Sequence, residues 1–130
     1  MSYSFQHTIP KGASVVRVQS DLPPAALFST ASSVLIQEGF GFSKLDSSSL
    51  TIETDAVPVG QSKTPLRVTI RVVSGPMGSA LEATGKTLQG LGNWGPAGNT
   101  PDSKSKVAFQ ELVLLVGKVP NREVSYLSSN

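Results

Sequence analysis

Residues 66–73 read LRVTIRVV, and their alternation decides the class of fold. Leu66, Val68, Ile70 and Val72 fall on one side of an extended chain, and Arg67, Thr69 and Arg71 fall on the other. A strand with one apolar and one polar face belongs to an antiparallel sheet that is covered on one side only. Residues 79–87 continue the pattern, with Leu81 and Ala83 opposed to Glu82 and Thr84, after a turn at 75–78 that holds two glycines. On the N-terminal side, residues 50–55 set Leu50 and Ile52 against Thr51, Glu53 and Asp55. Before them, residues 40–45 form a short strand with Phe40 and Phe42 on one side, and a polar turn at 46–49 joins the two.

Outward from these strands the period changes from two to that of a helix. Residues 13–19, ASVVRVQ, are a first strand with Val16 and Val18 opposed to Arg17 and Gln19. Ser20 and Asp21 offer an N-cap and Pro23 and Pro24 fit the first turn of a helix running to about Glu38. That helix carries Pro24, Leu27, Phe28, Ala31, Val34 and Leu35 at helical spacing and stops at Gly39. Residues 89–99, QGLGNWGPAGN, read as a loop around the sole tryptophan, Trp94. Thr100 as N-cap and Pro101 at the first helical position then introduce a second amphipathic helix over 104–116, ended by Gly117 and Pro120.

The expected order is β-α-β-β-β-β-α, an α+β domain with about five antiparallel strands and two helices packed on one face. Residues 13–119 form the domain, 1–12 an N-terminal extension and 120–130 a C-terminal tail. Both helices need a partner for their apolar stripes, so Leu27, Phe28, Leu35, Ile70, Leu112 and Leu115 are expected to share one core. The opposite sheet face is left open, with Arg17, Gln19, Thr51, Glu53, Arg67, Thr69, Arg71, Glu82 and Thr84 on it.

The 130 residues suit a single domain. Charged residues make up 15%, below the roughly 25% of an ordinary soluble domain, and Ser, Thr, Gly and Pro fill the difference, a balance that favours an exported protein. A net charge of +2, with Lys and Arg interleaved among Glu and Asp, provides no basic stripe for nucleic acid. Without cysteine there is no disulfide, thiolate metal site or thiol nucleophile. No apolar run approaches the roughly 18 residues that span a bilayer, and residues 1–12 lack the basic and apolar regions of a signal peptide. An exported form would carry its leader, and any lipid-bearing cysteine, ahead of Met1.

The run VVRVQSDLPPAALFSTASSVLIQEGFGFSKLDSSSLTIETD, followed by TPLRVTIRVVS and a late helix, resembles small bacterial envelope domains with a single TATA-binding-protein-like repeat. Such domains occur in exported lipoproteins, including assembly lipoproteins of the BamC type. The resemblance covers about four-fifths of the chain and rests on the order of elements. It implies a curved sheet backed by two helices, a periplasmic or outer-membrane-associated location with the cytoplasm as the alternative, and no catalytic residues. The nucleic-acid role of the eukaryotic namesake does not transfer, because the open face mixes Glu with Arg and lacks apolar wedges.

Each motif that suggests chemistry has a plainer explanation. Residues 80–87, ALEATGKT, fit a relaxed phosphate-loop pattern, but the central residues read as strand and no helix begins at Lys86. His7 is the only histidine and has no carboxylate cluster near it in sequence, so neither a metal site nor a Ser-His-Asp set is expected, although a Ser-Lys pair stays open. Glu53 and Glu82 share a sheet face, yet Glu beside Arg67 or Arg71 is more often a solvated pairing than an acid–base pair. Trp94 either folds back as a cap on the core, the favoured alternative, or presents an anchor to a partner.

These observations point to a non-catalytic binding or assembly module without a cofactor, its partner another protein and not a nucleic acid. The candidate contact residues are Arg67, Thr69, Arg71 and Glu82 on the sheet and Trp94 in the loop. The alternative is a small-ligand carrier or small enzyme with a cleft between residues 89–99 and the sheet.

Overall fold

The computed structural model describes residues 9–61, 63–75, 78–89, 92–120 and 123–128. In chain order the elements are β1 (Val15–Ser20), α1 (Pro24–Gln37), β2 (Phe42–Asp46), β3 (Thr51–Thr54), β4 (Val57–Val59), β5 (Thr64–Gly75), β6 (Gly78–Gln89), β7 (Asn93–Pro96), α2 (Ser103–Val116) and β8 (Glu123–Leu127). The fold is α+β with an antiparallel sheet, as the alternation predicts, but among the described residues the sheet has eight strands where about five are expected. Their path is β2-β3-β5-β6-β1-β8, with β4 paired to β5 and β7 to β6.

The hairpin of β5 and β6 is the spine. Its register runs unbroken from Leu66↔Thr87 to Gly75↔Gly78, so Leu66, Val68, Ile70 and Val72 share a buried face with Leu81, Ala83 and Thr87. β1 lies beside β6 with Val16 and Val18 on the same face, and Ile52 of β3 faces Ile70. Both helices pack against β5 and β6, and their buried residues join the strands in one core. The six residues expected together there, Leu27, Phe28, Leu35, Ile70, Leu112 and Leu115, all belong to it.

The helices start later than their sequence signals suggest. Pro23 sits before Pro24, and a residue before proline is pushed out of the helical region; Pro23 is extended (φ −62°, ψ 157°), so α1 begins at Pro24. Ser20 instead accepts a hydrogen bond from the Leu22 amide at 3.2 Å, as a turn residue and not as the cap. At α2 the cap is Asp102, whose carboxylate accepts from the Lys104 amide, so Thr100 and Pro101 precede the helix. Phe40 is buried ahead of β2, and a bulge between Phe42 and Lys44 turns Phe42 toward the core.

Three strands were not anticipated. β4 and β7 contain proline and lie at sheet margins, where a missing amide is tolerated. Pro58 faces Pro65, and two residues without amides cannot form a hydrogen-bonded pair; Val57 and Val59 therefore bond to β5, and the outer side of β4 offers no Pro58 N–H. β8 lies within residues 120–130, where a tail is expected. Its Val124 and Tyr126 face Val18 and Val16 and are buried, and Tyr126 meets Phe109 of α2 edge to face at 6.5 Å.

Candidate functional site

Strand alternation places the uncovered side chains in cross-strand rows. One row runs Asp46, Thr51, Arg71, Glu82, Arg17 and Ser125, from β2 to β8. A neighbouring row runs Lys44, Glu53, Thr69 and Thr84. A third places Arg67 opposite Lys86, with Pro96 of β7 beyond it. The four predicted sheet residues therefore do share one face: Arg67 and Arg71 are exposed, and Thr69 and Glu82 are half-buried. Glu82 is held between Arg71 and Arg17, with Arg17 Nε at 3.8 Å from its carboxylate.

Trp94 joins this surface. Residues 93–96 are not a loop but the strand β7, edge to edge with β6, with Trp94 opposite Leu88, two residues beyond Lys86 on the same side. The indole is half-buried and outside the core, and the Arg67 guanidinium lies over its ring at 4.0 Å from the centroid. Trp94 is thus not a cap on the core, and it braces Arg67. Residues 97–99 then return toward β1: Asn99 N–H donates to the Ala13 carbonyl at 2.8 Å, and the Ser105 hydroxyl accepts from Gly98 N–H at 2.9 Å.

Beside Arg67 the face dips into a concavity of about 350 Å³ lined by Ser43, Glu53, Asp55, Arg67, Thr69 and Lys86. It has a cationic side on β5 and β6 and an acidic side on β3 and just beyond it. Arg67 and Lys86 stand directly opposite each other, a like-charge pairing that costs stability unless something anionic lies near. At the far edge of the face, the Asp46 carboxylate accepts from the hydroxyl and amide of Ser48 and the amide of Ser49, which hold its pKa down at about 2.

Lys86, Lys44 and Asp46 are absent from the predicted contact set. Strict alternation from Glu82 and Thr84 reaches Lys86, but the phosphate-loop pattern offers the same residue another reading. That pattern is strand: all of residues 80–87 lie within β6, and Lys86 pairs with Arg67 and Pro96. No run of amides is gathered there to cradle a phosphate. Glu53 and Glu82 share the face but sit on β3 and β6 with β5 between them, roughly 9–10 Å apart laterally by strand spacing. His7 lies outside the described residues. No protein family matches the chain, and comparison with curated proteins likewise finds no match.

Proposed function

We propose that the protein is a non-catalytic binding module whose open sheet face contacts another protein. The single observation that carries this is the Arg67–Trp94 stack at the mouth of the polar concavity, because it joins the sheet and β7 into one braced surface. A stacked guanidinium keeps its outward edge for hydrogen bonding while losing little side-chain freedom on contact. With Arg67 and Lys86 on one side and Glu53 and Asp55 on the other, the surface is dipolar, which suits a partner of complementary charge pattern better than a uniformly charged polymer.

A role in the bacterial cell envelope, on the periplasmic side or at the outer membrane, is the accompanying proposal. It is supported by the order of elements around α1 and by the charge-poor composition rich in Ser, Thr, Gly and Pro. The protein immobilised on resin is tested against an envelope extract, and the captured partner is then purified and rebound. Arg67→Glu with Arg71→Glu is expected to abolish capture while the protein remains folded. Undiminished capture by that double variant refutes the sheet face as the contact surface.

A further inference from the structure

β2 is one end of the sheet, and no described strand lies beyond it. The direction of its free backbone groups follows from its inner neighbour. Asp55 N–H donates to the Gly41 carbonyl at 3.0 Å and the Ser43 hydroxyl donates to the Glu53 carbonyl at 3.2 Å, so residues 53 and 55 turn their backbone groups toward β2. Leu50, in the other phase, accepts from Val72 N–H of β5 at 3.0 Å. Within the ladder, Lys44↔Glu53 and Asp46↔Thr51 are therefore the hydrogen-bonded pairs, and Leu45, opposite Ile52, directs its N–H and C=O to the open edge.

The side chains around that edge are self-complementary. Leu45 points to the helix-covered side with Ile52 but is 51% exposed, since no described element covers it at the margin. Lys44 and Asp46 flank it on the open face, one of each sign. In an antiparallel pairing of two copies about a twofold axis at Leu45, the two Leu45 residues exchange both backbone hydrogen bonds. Lys44 of each copy then falls opposite Asp46 of the other. Those flanking positions are non-hydrogen-bonded pairs, where cross-strand side chains lie closest. A lone lysine on an edge strand normally repels a second copy; the aspartate two residues on converts that repulsion into two ion pairs.

We propose that the β2 edge binds a second copy of this chain, joining the two sheets into one through residues 44–46. The pairing is isologous, so it closes at a dimer and does not propagate into a fibre. Because Ser43 and Glu53 line the concavity next to Lys44, the twofold axis sets the two concavities side by side. A contact this short is weak, with half-association at a concentration on the order of 100 μM.

Sedimentation equilibrium from about 10 μM to about 1 mM is expected to give a monomer–dimer curve for the parent. Lys44→Asp, Asp46→Lys and Leu45→Glu should each weaken dimerisation at least tenfold. An equimolar mixture of the Lys44→Asp and Asp46→Lys chains should recover it, since each copy then meets the opposite charge. In the parent alone, amide exchange at Leu45 should slow as concentration rises, while that at Lys44 and Asp46, already bonded to β3, stays constant. A monomer throughout the range, a dimer that survives Leu45→Glu, or Leu45 exchange that is independent of concentration overturns the proposal.

Discussion

Asp46 has the most unusual electrostatics among the described residues of this surface. It accepts from Ser48 and Ser49, so the folded state favours its charged form and its pKa falls from the ordinary 3.8 to about 2. The folded value lies below the unfolded one, so this contribution to stability is complete above pH of about 4 and is lost as pH falls through about 2. A carboxyl titration by NMR should place the Asp46 midpoint near 2; a midpoint near 3.8 would mean that the turn is not formed. The Arg67–Trp94 stack is testable in the same way. A double-mutant cycle with Arg67→Ala and Trp94→Ala should give a coupling of about 0.5–1 kcal/mol, and additivity within error would mean that the pair does not interact. Lys86, inside a strand and opposite Arg67, has no phosphate cradle. Calorimetry with ATP and magnesium should show no saturable heat, and binding that is lost in Lys86→Ala would contradict the strand-based reading.

Among the elements, the strength of the sequence signal follows how much of each strand is buried. β5 alternates between buried and more exposed residues from Thr64 to Val72 and β6 from Leu81 to Thr87, and the core beneath them demands it, so both are legible from Leu66 and Leu81 onward. β4 and β7 bury little, contain proline, and owe their extended form to the neighbour they pair with, which leaves no local pattern to read. β8 is different, because Val124 and Tyr126 do alternate with Glu123, Ser125 and Leu127. That alternation is short and easily masked, because the preceding Gly117 and Pro120 mark an end to the helix and chain termini are commonly loose. The importance of β8 is measurable: ending the chain at Pro120 removes the buried Val124 and Tyr126 and the strand beside β1, so denaturation should show a loss of several kcal/mol or failure to fold. A cost below about 1 kcal/mol would mean that β8 is an accessory strand. The candidate site was legible in the same proportion. Its sheet residues follow from alternation alone, whereas the contact between Arg67 and Trp94 depends on β7, which only the folded sheet reveals.

At the scale of the whole molecule, α1 and α2 join β5 and β6 in one core, while Arg67, Arg71 and Lys86, on the other side of those strands, are exposed. Ile70 and Leu112 sit where the two layers meet, both essentially inaccessible, and truncating either to alanine should cost about 2–5 kcal/mol in chemical denaturation. Losses under about 1 kcal/mol at both would refute the two-layer core. The layering also separates stability from binding, because residues of the open face can change without disturbing the core. A partner bound to the open face would be reported by Trp94, the sole tryptophan, seated under Arg67 beside the concavity. The most direct measurement is Trp94 fluorescence during titration with a purified partner that lacks tryptophan. A saturable change in intensity or wavelength is expected, shifted at least tenfold to higher concentration by Arg67→Glu with Arg71→Glu. Saturable binding by calorimetry that leaves Trp94 emission unchanged and is indifferent to those substitutions would contradict binding at the open face.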